Sequence, residues 1–181
     1  SLFQPHAIKA PGFSQMQSAY RPLRSTETCV LRTLNNIYVS ADTGKATALV
    51  SLDLSAAFDT IDHSILLKRL QMMFGVTGTA LKWLQSYLLN RQQSVRSGHA
   101  MSSPTSCATG VPQGSVLGPI LFSCYTSPIS SIASAFGTDL QQYADDTQIY
   151  IALSSADMTS QLQALENCLA SLNVWFSQNG L

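Results

Sequence analysis

The chain has 181 residues, of which 45% are hydrophobic and 11% are charged. A chain of this length and composition can form one domain with its own core, which excludes a disordered protein. Ten Lys and Arg balance ten Asp and Glu, so a uniformly basic surface for nucleic acid is also excluded.

The charges are unevenly distributed along the chain. Residues 1–96 contain all ten basic residues and five acidic ones, a balance of +5, whereas residues 97–181 contain five acidic residues and no basic one, a balance of −5. Such an asymmetry is compatible with one half that meets phosphate groups and another half that holds cations.

No apolar run approaches the ~18 residues needed to cross a bilayer, and no secretory signal opens the chain, so we expect no membrane partner. Because the sequence begins with Ser1 and stops within a helical pattern, we expect a fragment of a longer polypeptide. The cysteines form no C-x-x-C pair, which predicts free, mostly buried thiols in a reducing compartment rather than a zinc site. They are Cys29, Cys107, Cys124 and Cys168.

The first elements in chain order are a helix and a strand. Residues 1–25 contain several prolines and little periodicity, so we expect loop or extended chain. Residues 26–44 predict a helix that stops at Gly44, with an apolar stripe made by Leu31, Leu34 and Tyr38. Residues 46–54, "ATALVSLDL", predict a β-strand. Its two faces carry Val50, Leu52 and Leu54 on one side and Leu49, Ser51 and Asp53 on the other.

Two helices and a polar segment are predicted next. The sequence "DTIDHSILLKRLQMMFG" (59–75) predicts a helix with Asp59 or Thr60 as its N-cap and Gly75 at its end. The sequence "TGTALKWLQSYLLN" (77–90) predicts a second helix, whose apolar face carries Ala80, Leu84, Tyr87 and Leu88. The polar, Ser-rich residues 91–110 predict a short hairpin.

The remaining elements are a helix, a hairpin and a long final helix. "GVPQGSVLGPILFSCYTSP" (110–128) predicts a Gly-rich loop that leads into a helix, with Ser115 as N-cap and Pro128 as the break. Residues 138–153 predict two strands joined by a tight turn. A last helix ends near Asn179, and its apolar stripe is Met158, Leu162, Leu165, Leu169, Leu172 and Phe176. Strands interrupted by helices, with a hairpin, indicate an α+β fold.

Three aspartates suggest a metal site. The predicted hairpin carries Asp145 and Asp146 in its turn, and the strand 46–54 ends with Asp53. If the strands are neighbours, three carboxylates converge, which requires bound cations. Oxygen-loving Mg²⁺ is the natural partner, with Mn²⁺ possible, and two such ions can stabilise the attacking and leaving oxygens at a phosphorus atom. The alternative is an ordinary, solvated Asp-Asp turn.

Two further segments add to this pattern. Phe58 follows Asp53 by five residues, where its ring could pack under a bound sugar and exclude a 2′-hydroxyl; the alternative is a core residue. In "GVPQGSVLGP", the glycines let backbone approach a ligand, Gln113 offers an amide donor, and the helix start can face an anion. The alternative is a rigid turn that connects to a helix.

Together, these segments resemble a reverse transcriptase, in particular that of non-long-terminal-repeat (LINE-type) retrotransposons. "VSLDLSAAFDTIDH" is similar to the first palm motif of that family, "GVPQGSVLGPILF" to the second and "QYADDTQIY" to the Y-x-D-D motif. "QSAYRPLRSTET" (17–28) resembles the stretch that precedes the palm. The resemblance covers roughly residues 17–181.

The resemblance implies a right-hand polymerase palm, an antiparallel sheet packed on helices, with partial fingers. Residues 1–45 would form a partial fingers segment and a connecting helix, and residues 46–181 the palm, with a finger-like insertion at about 75–110 and no thumb. It also implies RNA-templated DNA synthesis, in which a primer 3′-hydroxyl attacks a dNTP and pyrophosphate leaves.

The implied site residues follow from the matching motifs. Asp53, Asp145 and Asp146 would hold two Mg²⁺ ions with the backbone carbonyl of Leu54. The resemblance also implies that Phe58 excludes ribonucleotides, that Gln113 and Gly114 contact the incoming nucleotide and that Tyr143 lies near the primer end. Arg21 survives in the stretch before the palm, where "AYR" stands in place of the usual "GFR", and would contact primer or template.

The implied partners are an RNA template, a DNA primer and dNTPs, in the nucleus or cytoplasm, with the oligomeric state open. Because the family continues beyond this segment with a lysine motif, a primer grip and a thumb, we expect the isolated chain to be weakly active or inactive. One alternative is an inert retroelement remnant that at most binds nucleic acid or a partner. Another is a viral RNA polymerase, although that class usually has Gly where Ala144 stands and a carboxylate where Phe58 stands.

Overall fold

The computed structural model describes residues 2–181, which adopt the predicted α+β fold class. The helices are α1 (Phe3–Lys9), α2 (Thr26–Asp42), α3 (His63–Phe74), α4 (Gly78–Leu88), α5 (Gly118–Thr126), α6 (Ile129–Ala135) and α7 (Met158–Gln178). The strands are β1 (Ala46–Leu52), β2 (Gln92–Gln93), β3 (Arg96–Ser97), β4 (Ala100–Met101), β5 (Thr105–Ser106), β6 (Asp139–Tyr143) and β7 (Asp146–Leu153).

The main sheet has three antiparallel strands in the order β1-β7-β6. In the β1–β7 ladder, Ala46 lies opposite Leu153 at one end and Leu52 lies opposite Thr147 at the other. β6 and β7 form the predicted hairpin, in which Tyr143 pairs with Asp146 across a two-residue turn. A long-range ladder therefore joins the strand that precedes Asp53 to the hairpin that carries the other two aspartates.

One face of this sheet packs on α6 and α7. Alternation within the strands directs apolar residues to this side. Of the two predicted faces of β1, the one with Val50, Leu52 and Leu54 packs against the cluster. The buried members of the cluster are Ile129, Ala133, Leu140, Ile149, Ile151, Leu153, Leu165, Cys168, Leu172 and Phe176.

The other face of the sheet is more polar and is covered by α2. The Asn36 amide donates to the Tyr150 hydroxyl at 2.6 Å, and the Thr33 hydroxyl lies 3.5 Å from the Gln148 amide oxygen. The predicted apolar stripe of α2 does not meet the sheet, because α2 contacts this polar sheet face through polar side chains. Its residues are 38–63% exposed: Leu31, Leu34 and Tyr38.

A second core joins α1, α3, α4 and α5. The loop predicted for residues 1–25 is corrected here, because Phe3–Lys9 is helical and Ala7 is fully buried in this core. Pro5 falls in the first turn of α1, where its missing N–H costs little. The large buried side chains of this cluster include Phe13, Ile61, Leu66, Leu70, Phe74, Leu84, Leu88, Ile120, Leu121, Phe122 and Tyr125.

The starts of two helices differ from the prediction. Asp62, not Asp59 or Thr60, is the N-cap of α3, because the chain first makes a turn in which the Thr60 hydroxyl lies near the Ala57 carbonyl. α5 begins after Leu117 rather than Ser115, although the Ser115 hydroxyl still accepts from the Gly118 amide at 2.9 Å. The predicted C-terminal ends of the two helices are confirmed, since Gly75 terminates α3 and Pro128 separates α5 from α6.

The segment 91–110 forms two short antiparallel ribbons, β2–β5 and β3–β4, in place of one hairpin. The cysteines are free as predicted, and three of the four are buried. Within residues 2–181, no helix combines the length and apolar character that a membrane span requires.

Candidate active site

The sheet register brings two of the predicted aspartates to the same place. Leu52 and Thr147 are the last Cα partners of the β1–β7 ladder. Asp53 follows Leu52 and Asp146 precedes Thr147, so each stands one residue beyond that pair at the same end of adjacent strands. Directly opposed Cα atoms lie about 4.5–5.5 Å apart in antiparallel sheets, so the two backbones are close enough for their carboxylates to share a ligand.

The third aspartate occupies the hairpin turn. Asp145 is half-buried, whereas Asp53 and Asp146 are exposed. Across the described residues 2–181, no group of three or more His, Cys, Asp or Glu side chains is arranged as a metal site. The fold therefore gathers the three acids at one edge of the sheet without closing them around a common point.

A cavity of about 290 Å³ lies beside this edge, between the sheet and the first turns of α2. Tyr143 and Asp146 line it from the hairpin, Ser51 lines it from β1, and Cys29 lines it from α2. We call it the hairpin cavity. Tyr143, the residue predicted to contact the primer, thus lies beside Asp146. Of the three aspartates, Asp146 is the one that lines this cavity.

A second cavity, of about 260 Å³, is the loop pocket, lined by Phe58, Pro112, Gln113, Gly114 and Pro119. It brings together three residues that the motifs predicted to contact the nucleotide. Gln113 and Gly114 are exposed and Gly114 has a φ of +76°, a backbone conformation that favours glycine. The pocket therefore joins the end of the first motif to the loop of the second.

Phe58 has two roles in this pocket. Its ring stacks on Phe122 of α5, with centroids 4.9 Å apart and planes at 30°, and it packs against the second core. The same half-buried side chain lines the loop pocket. The core and ligand-facing interpretations of Phe58 are therefore compatible, because one side of the ring anchors it and the other side is accessible.

Hydrogen bonds hold the two walls of the loop pocket together. The Val111 amide donates to the Phe58 carbonyl at 2.8 Å, and the Gly110 amide donates to the Ile61 carbonyl at 2.8 Å. A Cβ on Gly110 would lie 2.9 Å from the carbonyl oxygen of Asp59, and the φ of Gly110 is +86°. Only glycine allows the two backbones to approach this closely.

Asp59, which with Thr60 was a candidate N-cap of α3, instead contacts a residue of the loop pocket. Its carboxylate accepts from the Gln113 side-chain amide, at 3.1 and 3.2 Å for the two oxygens. The Thr109 hydroxyl also donates to the Asp59 carbonyl at 3.0 Å. Asp59 therefore fixes the orientation of Gln113, a role that its position 54 residues earlier in the chain does not reveal.

Arg21 lies in a different cavity, of about 420 Å³, whose lining includes Tyr20, Arg24 and Ser115. Its guanidinium lies 5.5 Å from the centroid of the Phe13 ring and donates to the Gln15 side chain at 3.0 Å. Burial lowers the pKa of Arg21 from its ordinary value. Arg21 is thus partly engaged within its own segment, and it lines a cavity that adjoins the loop pocket at Pro119.

Two more residues near the hairpin escaped the sequence analysis. Burial, then the carboxylate of Asp145 and the neighbouring Tyr143, raise the pKa of Tyr20. Gln17 is 1% exposed and hydrogen-bonds the backbone of Ala144 in the turn. The only signal of either residue in the sequence is their place in the "QSAYR" stretch.

Leu54 follows Asp53 and is half-buried between the two cores, since its side chain contacts both clusters. This packing fixes the backbone just after β1. The carbonyl that the motif resemblance assigns to metal binding is therefore attached to an anchored residue.

Comparison with known proteins agrees with the motifs. Residues 3–181 match the family described as reverse transcriptase (RNA-dependent DNA polymerase). The chain is 31% identical over 164 residues, 88% of its length, to a probable RNA-directed DNA polymerase from transposon BS of Drosophila melanogaster. It is 32% identical over 142 residues, 77% of its length, to the corresponding probable polymerase from transposon X-element of the same species.

A third relative is the RNA-directed DNA polymerase from mobile element jockey of Drosophila funebris, 30% identical over 129 residues, 68% of the chain. The aligned regions cover 18%, 15% and 14% of the three relatives, so the chain spans less than a fifth of their length. The chain belongs to the reverse transcriptase family, in the LINE-type group of retrotransposon enzymes that its motifs indicated.

Proposed function

We propose that this chain is the palm and partial fingers of an RNA-directed DNA polymerase, which extends a DNA primer on an RNA template. The observation that supports the proposal is the β1–β7 register: Leu52 lies opposite Thr147, so Asp53 and Asp146 come next at the same end of adjacent strands, beside the turn that bears Asp145. In this assignment residues 46–181 are the palm, residues 1–45 belong to the fingers, and about 75–110 is a finger-like insertion.

The acids suit a divalent cation of the hard, oxygen-binding type. Asp53, Asp145, Asp146 and the Leu54 carbonyl offer oxygen donors alone, which favours Mg²⁺, or Mn²⁺ in its place. A protein commonly holds Mg²⁺ through one or two carboxylates, with substrate phosphates and water as the other ligands. In this proposal the incoming triphosphate and water complete the coordination that the carboxylates begin. When bound, two such ions supply positive charge to the attacking and leaving oxygens of phosphoryl transfer.

The protein's own residues orient the nucleotide in this proposal. The accessible side of the Phe58 ring packs against the sugar and leaves no room for a 2′-hydroxyl. Gln113, held by Asp59, donates from its side-chain amide to the incoming nucleotide beside Gly114. Tyr143 contacts the primer end from the hairpin cavity, and Arg21 contacts primer or template phosphates. These contacts would place the primer hydroxyl in line with the α-phosphate.

The test is single-turnover primer extension by the 181-residue chain, with an RNA template, a DNA primer, dNTPs and either Mg²⁺ or Mn²⁺. We expect slow incorporation, because the chain spans less than a fifth of its relatives, and we expect no incorporation with EDTA or with Asp53→Asn. The matched control is Asp139→Asn, a carboxylate at the far end of β6. A wild-type chain that incorporates no nucleotide with either metal would support the inert-remnant alternative instead.

A further inference from the structure

A short segment before α2 forms an additional edge beside the hairpin. Gln17 makes a parallel bridge with Gln142 of β6. The Ser18 amide donates to the Gln142 carbonyl at 2.8 Å, and the Gln142 amide donates to the Met16 carbonyl at 3.1 Å. These backbone bonds attach the segment to β6, next to the turn that carries Asp145.

The Gln17 side chain extends from this edge to the turn itself. Its amide nitrogen donates to the Ala144 carbonyl at 3.0 Å, and its amide oxygen accepts from the Ala144 amide at 2.9 Å. The same oxygen accepts from the Ala19 amide at 3.0 Å. Gln17 thus binds both polar backbone groups of one residue, and its own amide is satisfied at both ends.

Ala144 occupies a conformation that alanine adopts at a cost. Its φ is +57°, in the left-handed region, and it is the first residue of the two-residue turn between Tyr143 and Asp146. Tight hairpin turns with a positive φ at this place favour glycine. Because Ala144 lacks the freedom of glycine, its conformation depends on outside contacts, and the Gln17 side chain supplies two.

We propose that Gln17 is a positioning residue, which sets the direction of Asp145 and Asp146 by fixing the backbone of Ala144. Gln17 does not touch the reacting groups; it acts through the residue that precedes both acids. Groups that orient metal ligands in this way commonly change metal affinity or activity by about 10- to 100-fold when they are removed. The catalytic consequence depends on the proposed function, whereas the structural role does not.

Amide hydrogen exchange on the ¹⁵N-labelled 181-residue chain tests the structural role. Gln17→Met keeps the length of the side chain and removes both bonds to Ala144. We expect the Ala144 and Ala19 amides to exchange about tenfold faster, while the Ser18 amide keeps its wild-type rate because its backbone acceptor is unchanged. Gln142→Met is the matched control: this glutamine is equally buried, but its side chain donates to the Thr147 hydroxyl and makes no bond to Ala144.

An unchanged exchange rate at Ala144, or an equal increase at Ala144 and Ser18, would overturn the proposal, since the second result indicates general destabilisation. Primer extension then measures the consequence for catalysis. We expect Gln17→Met to lower kcat by about 10- to 100-fold with little change in the KM for dNTP, and Gln142→Met to have much less effect.

The two proposals can fail separately. If the wild-type chain extends no primer, the proposed function fails while the exchange rates still decide the role of Gln17. If the wild-type chain is active and both methionine variants lose activity equally, the positioning role of Gln17 is refuted and the proposed function remains.

Discussion

The two sides of the candidate site are built by different means. The acidic edge is fixed by regular structure: two ladders of the main sheet bring Asp53 and the hairpin together. The loop pocket is fixed by irregular structure: backbone hydrogen bonds join residues 58–61 to residues 110–111, and Gly110 lies against Asp59. The acids therefore depend on strand register, while the residues of the loop pocket depend on a close approach between two loops.

The largest expected effect comes from removing a carboxylate at the acidic edge. Since removal of groups that merely orient metal ligands costs 10- to 100-fold, Asp146→Asn should reduce primer extension by about 100-fold or more. Asp146 does not line the loop pocket, so dNTP binding without added metal, followed by equilibrium titration, should change less than about threefold. An equal loss of metal-free binding would show that the two sides are not independent.

The loop pocket should be most sensitive at Gly110. Gly110→Ala combines a strained φ with a clash of 2.9 Å against the Asp59 backbone, so we expect the free energy of unfolding to fall by about 3 kcal/mol. Gly98→Ala is the matched control, because Gly98 has a φ of +58° and nothing within 4 Å of the added Cβ; the left-handed conformation alone should cost about 1 kcal/mol. Equal losses in urea denaturation would contradict the close-approach explanation.

Substitution of Phe58 tests whether the loop pocket selects dNTP over rNTP. Phe58→Val removes the ring that would exclude a 2′-hydroxyl, so the preference for dNTP over rNTP should fall by roughly 10- to 100-fold in single-turnover extension. Phe58→Tyr retains a ring and should keep the preference. If Phe58→Val discriminates as well as the wild type, the ring serves only to pack on Phe122.

The smallest effect is expected at Asp62, which caps α3 where the two loops meet. Its carboxylate accepts from the Ile65 amide at 2.9 Å, and its backbone bridges to Thr109. Asp62→Ala should therefore lower the free energy of unfolding by about 1 kcal/mol, measured by thermal or urea denaturation at pH 7.

The same residue predicts a pH dependence. Hydrogen bonds from the Ser64 hydroxyl and the Ile65 amide lower the pKa of Asp62 from its ordinary value of 3.8. Because the folded pKa is the lower one, this stabilisation is complete above the unfolded pKa and is lost as the pH falls through the folded pKa. The difference between wild type and Asp62→Ala should thus shrink below about pH 4. Asp62→Asn, which can still cap the helix, should show a smaller deficit at pH 7.

Local sequence patterns predicted the acidic edge better than the loop pocket. The alternation of apolar and polar residues predicted β1 and the hairpin. Each strand buries one face in the core, and a strand with one buried face has apolar residues at every second position. The register that sets Leu52 opposite Thr147 joins residues 95 positions apart, and no local pattern specifies it. The family motifs supplied the expectation that these segments meet.

The errors have a common cause in tertiary contacts. Aspartate is a common helix N-cap, but the Asp59 carboxylate accepts a hydrogen bond from Gln113, in the loop of the second motif. Residues 3–9 lack strong helical periodicity, but burial of Ala7 in the second core supports α1. Apart from its place in the "QSAYR" stretch, Gln17 has no local signal, because its partner Ala144 lies 127 residues away.

The β1–β7 ladder limits where the gene can tolerate insertions and deletions. Side chains alternate across a sheet, so deleting or inserting one residue within Ala46–Leu52 would move a leucine to the position beside Asp146 or turn Asp53 to the opposite face. The exposed ribbons at 92–106 have no such link to the acids. We therefore expect related elements to differ in length within the ribbons and to keep the same length within β1.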